Sequence, residues 1–262
     1  MIEGITLSEL NHRIKGELQI AFPDEYWGIG EISDMHINAT GHCYMEMVEK
    51  AEESDKIIAR IRANIWAFTF RMIKPYFESV TGSRLSAGQK ILFRAKIEYH
   101  PVYGMSLNVK DINPEFTLGD IAKKKREIIQ RLEKEGIIDM NKMLDFPMVP
   151  QRIAVISSET AAGYGDFTKS LSEQKDNFTF HITLFPASMQ GEKTEESIIS
   201  ALDDIFKNEK MFDLVVIIRG GGAQADLESF NNYNLAFHIA QFPLPVLTGI
   251  GHERDESLTD LV

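Results

Sequence analysis

The stretch DLVVIIRGGG, Asp213–Gly222, decides the fold of the C-terminal half of the chain. Its apolar run Leu214–Ile218 is typical of a strand buried on both faces of a parallel sheet. Arg219 and three glycines follow at the end of that run, and a helical pattern comes after them. The stretch therefore predicts a strand, a glycine-rich turn and a helix, which is the repeating unit of α/β domains.

Short apolar runs alternate with amphipathic helical stretches on both sides of this unit. Strands are predicted at 152–157, 178–185, 213–218 and 245–248, and helices at 166–174, 194–207 and 226–241. Such alternation favours parallel strands joined by helices. We expect an α/β doubly wound parallel sheet over residues 151–262.

The N-terminal part has a different period, the alternation of two that is typical of β-strands. Strands are predicted at 26–37, 42–48, 56–65, 90–99 and 105–112, with a helix over 66–80 that Pro75 interrupts. A first helix is predicted over 7–20, with Thr6 or Ser8 as its N-cap. Three strands, a helix and two strands is the element order of an all-β OB-fold. A small β-sandwich is the alternative.

Three segments follow from these patterns: an OB-fold domain with its N-terminal helix over 1–117, a linker over 118–150, and the α/β domain over 151–262. The linker begins with a charged helix that ends at Gly136. Pro147 and Pro150 then predict an irregular segment before the α/β domain. The run Lys123–Arg126 is the most basic in the chain. A solvated helix face is the favoured interpretation of this run, and a phosphate-contacting ridge is the alternative.

The net charge of −11 is unusual for a protein that binds nucleic acid. Residues 1–118 carry 13 basic and 16 acidic side chains, whereas residues 149–262 carry 8 and 17. Because no half of the chain is basic, any contact with nucleic acid must depend on local clusters and on aromatic stacking.

Composition also bears on location and on cysteine chemistry. No apolar run is long enough to span a membrane and no signal pattern is present, so a cytoplasmic protein is expected. The single cysteine, Cys43, cannot form an internal disulfide, and no spacing suggests zinc. Its alternating surroundings favour an ordinary strand residue over a thiol nucleophile.

Ligands of open α/β sheets bind at the carboxyl ends of the strands, which directs attention to Arg219 and the glycines after it. Consecutive glycines allow close backbone approach and can turn several N–H groups toward an anion. An arginine beside them offers a planar fork that suits phosphate oxygens. A tight strand-to-helix turn is the structural alternative.

A second group of polar residues, Gly249, Gly251, His252 and Asp255, follows the last predicted strand. A histidine at this place is suited to general acid or base chemistry, and Asp255 is close enough in sequence to orient it. Asp166 follows the first strand and either completes an acid/base pair or caps the next helix. A magnesium site is the other interpretation, and its candidates are Asp166, Asp226, Glu253 and Asp255. We favour metal-free chemistry because no Asp-x-Asp or Asp-x-Glu pair ends a strand.

Four blocks resemble the catalytic domain of exonuclease VII large subunits in order and spacing: RIAVISSETAAGYGDF, LFPASMQGEKTEESI, VVIIRGGGAQADLESFN and FPLPVLTGIGHERDESLTDLV. The N-terminal region is similar to the DNA-binding domain of that family, more weakly. The resemblance implies hydrolysis of single-stranded DNA from its ends to short oligonucleotides, with no divalent metal or other cofactor. It also implies a small helical subunit as partner, bound through a C-terminal helical region that this sequence does not include, and no membrane association.

The resemblance places functional residues at Asp166, Arg219, His252 and Asp255, all of them at strand ends. Arg219 and the amides of Gly220, Gly221 and Gly222, with Gly251 nearby, are then expected to bind phosphate. Gly165 is a departure, since many family members have an arginine before the aspartate. This departure bears on the detailed contacts with the substrate and not on the type of reaction.

For the barrel, the resemblance implies a surface that binds single strands. The stacking candidates are Trp27, His36, Tyr44, Tyr99 and Tyr103, of which we expect about two to contact bases and some to be core. Two other classes stay open. One is a non-catalytic single-strand-binding fragment with a phosphate-binding α/β domain, and the other is a small-molecule α/β enzyme with an accessory β-domain.

Overall fold

The computed structural model describes the chain except residues 1–3, 52–53, 55, 174–177, 192, 221–223 and 252–256. Contacts divide the chain into two units, Met1–Ile121 and Ala122–Val262, and each is described by itself. Within the described residues, no helix is both long enough and apolar enough to cross a bilayer.

The first unit is a closed five-stranded barrel. Its strands are β1 (Glu25–Ile37), β2 (Cys43–Lys50), β3 (Ile57–Ile65), β4 (Lys90–His100) and β5 (Gly104–Asn113). The order around the barrel is β1-β2-β3-β5-β4, and all pairs are antiparallel except β3 with β5. The predicted strands are confirmed, and the β-sandwich alternative is wrong because the sheet closes on itself.

Alternation builds the barrel interior. On β2, for example, Cys43, Met45 and Met47 are buried while the residues between them are more exposed. Helix α2 (Ala67–Thr81) covers the interior with Phe70, Ile73 and Phe77. The predicted interruption at Pro75 is wrong, since the helix continues through it. Pro75 lies on the exposed side, where water can hydrate the carbonyl that loses its N–H partner.

The N-terminal helix, α1 (Leu7–Ala21), begins with a capping box in which Thr6 and Glu9 bind each other's backbone N–H. Thr6 is therefore the N-cap, one of the two predicted candidates. None of the residues of α1 is buried. The Tyr99 hydroxyl on β4 donates a hydrogen bond to Asn11 Oδ1, so the helix lies beside the outer face of the barrel.

Helix α3 (Pro114–Lys134) follows β5 directly. It begins four residues before the predicted start, because the Asn113 side chain accepts the N–H of Phe116 and Pro114 fits a first helical position. The helix ends where predicted, with Gly136 in a left-handed conformation.

The second unit contains a four-stranded parallel sheet in the order β7-β6-β8-β9. The strands are β6 (Arg152–Ser157), β7 (His181–Pro186), β8 (Leu214–Ile218) and β9 (Val246–Gly249). Alternate residues of β6 and β8 enter two separate apolar clusters, so both faces of the sheet are covered. A parallel α/β sheet is confirmed, and the doubly wound winding stays a prediction.

Three helices accompany this sheet: α4 (Ala162–Ser172), α5 (Thr194–Phe206) and α6 (Tyr233–Ala240). The predicted helix over 226–241 is confirmed in its second half and wrong in its first. A 3-10 turn, Gln224–Phe230, is followed by the separate helix α6, whose N-terminus is capped by the Asn232 side chain. Asparagine binds local backbone groups better than it continues a helix, which explains the break.

Candidate nucleic-acid interface and active site

Three strand ends meet at one edge of the parallel sheet. The Ser157 hydroxyl, at the end of β6, donates a 2.7 Å hydrogen bond to the Ile218 carbonyl at the end of β8. The Arg219 N–H donates to the Gly249 carbonyl at the end of β9 at 3.0 Å. The strand order reverses direction between β6 and β8, the position at which open α/β sheets bind ligands.

Two glycines allow the turn before α4 to lie directly on the Arg219–Gly220 backbone. A Cβ at Gly163 would lie 2.7 Å from the Arg219 carbonyl oxygen, and one at Gly220 would lie 2.9 Å from Ala161 Cα. Both distances are too short for any other residue without a backbone shift. Gly220 therefore has a packing role whether or not it binds phosphate, and the N-terminus of α4 is placed beside Arg219.

Arg219 is enclosed at this edge, with only 9% of its surface exposed. Asp166 lies on α4, exposed, five residues after the N-cap Ala161. That position is past the free N–H groups of the first turn, so the helix-capping interpretation of Asp166 is wrong.

Of the other residues predicted for the strand-end site, the structure describes only Gly251. Gly251 is exposed. His252, Asp255, Gly221 and Gly222 lie outside the described residues. Their expected roles stay predictions.

The ends of the segment that carries His252 and Asp255 are held by one carboxylate. Asp260 accepts hydrogen bonds from the Thr248 hydroxyl on β9 and from the N–H and hydroxyl of Ser257. Asn231 accepts the N–H of Leu258 at 2.9 Å. Both flanks of the segment are thereby fixed to the sheet edge, a contribution that the sequence motif alone did not suggest.

On the barrel, a groove with a volume of about 900 Å³ runs between α1 and the outer face of β2, β3 and β4. Three of the five stacking candidates line it, Tyr44, Tyr99 and Tyr103. Trp27 is half exposed outside the groove, with the Arg94 guanidinium 5.8 Å from its ring centre. His36 lies outside it too, stacked on Tyr44 with the ring centres 5.2 Å apart. None of the five is buried, so the expectation that some belong to the core is wrong.

The groove also gathers residues that the sequence analysis did not single out. Trp66 and His100 add aromatic rings, and Lys15, Arg62 and Lys96 add positive charge. None of these three cations forms an ion pair among the residues described here, so their charge is available to a ligand. Alternation could have shown that Arg62 and Asn64 share one side of β3, and Lys96, Glu98 and His100 one side of β4.

The basic run of the linker helix has a different environment. Lys123 is exposed and lies 3.7 Å from Glu127, one helical turn further on. The Arg126 side chain donates to the carbonyl of Ala122 on its own helix. These local contacts support the solvated-face interpretation of Lys123–Arg126.

The structure also tests whether Cys43 is a reactive thiol and whether the described residues hold a metal site. Cys43 is fully buried, and burial raises the pKa of its thiol to about 11, which confirms a core residue and excludes a ready nucleophile. Within the described part of the chain, no three His, Cys, Asp or Glu side chains are placed to share a metal ion. Glu253 and Asp255 are outside that part, so this finding does not test the magnesium alternative.

Comparison with known proteins gives two adjoining family matches. Residues 137–262 match "Exonuclease VII, large subunit" and residues 5–113 match "OB-fold nucleic acid binding domain". The exodeoxyribonuclease 7 large subunit of Deinococcus radiodurans is 34% identical over 98% of this chain and 63% of its own length. That of Nostoc sp. is 36% identical over 67% of this chain and 42% of its own length, and that of Rhodopirellula baltica is 29% identical over 99% and 55%.

The barrel and the parallel sheet together define a two-unit protein, in which an OB-fold domain precedes an α/β domain that matches the large subunit of exonuclease VII. The chain is similar to large subunits of exonuclease VII along almost its whole length. It spans less than two-thirds of the length of the relatives described above.

Proposed function

We propose that this chain is the DNA-binding and catalytic part of an exodeoxyribonuclease that hydrolyses single-stranded DNA to short oligonucleotides in the cytoplasm. The observation that carries the proposal is the meeting of the β6, β8 and β9 ends around Arg219, in a chain similar to large subunits of exonuclease VII. The groove of the barrel supports it, because it combines aromatic rings with cations that form no ion pair among the described residues, and stacking and positive charge are what binding of a single strand needs.

The reaction we propose is in-line attack of water on a phosphodiester. A P–O bond to the water oxygen forms as the P–O bond to one sugar oxygen breaks, and that oxygen leaves with a proton. Arg219 and the N–H groups of Gly220, Gly221 and Gly222 stabilise the charge that grows on the phosphoryl oxygens. The N-terminus of α4 beside Arg219 adds a favourable dipole for the same charge.

Proton transfer is assigned to His252, which acts with Asp255 and Asp166. One group removes the proton from the attacking water and another supplies a proton to the departing oxygen. Asp260 contributes indirectly, since it fixes both flanks of the segment that carries His252 and Asp255. No divalent metal and no other cofactor take part in this scheme.

The test is release of oligonucleotides from end-labelled single-stranded DNA by the assembled enzyme, a large subunit of family length that carries this sequence together with the small subunit. We expect release in the presence of EDTA, and its loss in His252→Ala. Cleavage that needs Mg²⁺ would instead move Asp166, Asp226 and Asp255 into a metal site. Absence of cleavage with and without Mg²⁺ would leave only the binding-module alternative.

A further inference from the structure

The groove of the barrel contains one feature that phosphate binding and stacking do not explain. Among its described lining residues, Glu98 is the only one with a carboxylate. A negative charge in a groove for a polyanion weakens binding unless it meets a hydrogen-bond donor of the ligand. The donors of a DNA strand are carried by its bases, since the phosphates and the deoxyribose ring offer only acceptors.

Glu98 is not neutralised by the cations around it. Lys15, Arg62 and Lys96 line the same groove, yet among the residues that the structure describes none forms an ion pair with Glu98. Its hydrogen-bond partner is Asn108 on β5, whose Nδ2 donates to Glu98 Oε1 at 2.7 Å. Because Asn108 is 3% exposed, this contact fixes the carboxylate to the floor of the groove and leaves the second oxygen free to accept.

A second polar side chain lies next to this pair. Asn64 on β3 is paired with Asn108 across the parallel β3–β5 contact, lines the groove and is 7% exposed. Its Nδ2 has no hydrogen-bond partner within the described structure. A buried amide donor in this state gains a full hydrogen bond when a ligand acceptor reaches it.

We infer that the groove selects cytosine and adenine over thymine, because these two bases carry an amino group beside a ring acceptor on the Watson–Crick edge. The inference rests on the proposed binding of single-stranded DNA in this groove. The exocyclic amino group donates to Glu98, and the adjacent ring nitrogen accepts from the Asn64 amide as it turns toward the base. Tyr44 and Tyr99 lie in the same groove and supply faces for stacking. Thymine presents a carbonyl oxygen where the amino group would be, so that oxygen faces the carboxylate and repels it.

The experiment is equilibrium binding of the 262-residue chain to phosphorothioate oligonucleotides, which resist cleavage, by fluorescence anisotropy at one fixed salt concentration. We expect oligo(dC) to bind about tenfold more tightly than oligo(dT) of the same length, the range of one good base contact. Glu98→Gln removes the difference, because the amide can also donate to thymine. Asp34→Asn is the matched control, an equal change of charge at an exposed position of β1 outside the groove, and it keeps the difference.

Three results would overturn the inference. Equal binding of oligo(dC) and oligo(dT), or a Glu98→Gln variant that strengthens both alike, would reduce Glu98 to a general negative charge, while the proposed DNA binding would stand. If the parent chain bound no oligonucleotide although its circular dichroism spectrum showed that it was folded, the proposed DNA binding would be wrong as well. The base preference and the DNA binding therefore fail in distinguishable ways.

Discussion

The two units place their functional residues in opposite ways. In the α/β unit, Arg219 is enclosed where three strand ends meet, and backbone atoms pack so closely that glycine is required at positions 163 and 220. In the barrel, most of the candidate binding residues lie on the outer face of strands that are distant in sequence, and all of the aromatic candidates are partly or fully exposed. The first arrangement suits stabilisation of one charged group, and the second suits contact with an extended chain.

The difference indicates a division of labour, in which loss of a residue in one unit should leave the property of the other intact. Substitutions in each unit therefore test whether cleavage and binding are separate properties.

The largest effect is expected for Arg219→Ala. Cleavage of single-stranded DNA by the assembled enzyme should fall by about 10²–10³-fold, the usual effect of removing one group that stabilises transition-state charge. Binding of single strands by the barrel should not change. Arg152→Ala is the control, because Arg152 pairs with Asp213 at the opposite, amino end of the sheet. Equal loss of cleavage in both variants would contradict a site at the carboxyl edge.

Gly163→Ala should destabilise the α/β unit by about 3 kcal/mol, since its Cβ meets the Arg219 carbonyl oxygen and neither backbone can move easily. Gly165→Ala is the matched control two residues further along α4, where a Cβ meets nothing within 4 Å. It should stabilise the protein by about 1 kcal/mol through helix propensity. Urea denaturation measures both changes. A Gly163→Ala protein as stable as the parent would show that the close packing is not required.

For the barrel, the buried Cys43 thiol predicts a dependence of stability on pH. Its pKa is raised from 9.0 to about 11 by burial, so the folded state holds the proton more tightly than the unfolded chain. This contribution is complete below pH 9 and is lost as the pH rises to 11, a decrease of about 2 kcal/mol in the free energy of unfolding. Cys43→Ala should lack this part of the alkaline decrease. An identical pH profile for both proteins would show that the barrel interior admits water.

The smallest effect is expected for the tryptophans, both of which lie in the barrel unit. Trp66→Ala should weaken binding of single-stranded DNA by about tenfold, the cost of losing one stacked base. Trp27→Ala should have little effect, because Trp27 is similarly exposed but lies outside the groove. Anisotropy titrations at one salt concentration compare them. A reversed order would place the binding surface on another side of the barrel.

The fold was largely predictable because the strands within each unit share one hydrophobic pattern. The alternation in β1–β5 and the buried runs of β6 and β8 specify strands whatever their partners are. The break between the 3-10 turn and α6 was missed because Asn231 and Asn232 interrupt an otherwise helical apolar pattern, and only their side-chain contacts reveal the two ends.

The two candidate sites differ in how many of their residues the sequence alone could identify. Arg219 could be selected without a structure, since strand ends of a parallel sheet meet at one edge by construction. The groove could not, because alternation shows which side of one strand a residue occupies but not which strand lies beside it. Arg62 and Lys96 share a groove only because β3 closes the barrel on β5, next to β4.

That closure is the shortest contact between strands of the barrel. Only Ala63 with Leu107 and Asn64 with Asn108 are paired across it, and Asn64 and Ser106 line the groove from its two sides. A strand of DNA in the groove would thus bridge the strand pair with the fewest paired residues. Binding of DNA and local unfolding of the barrel are then linked equilibria, so a bound strand should make the separation of β3 from β5 less favourable.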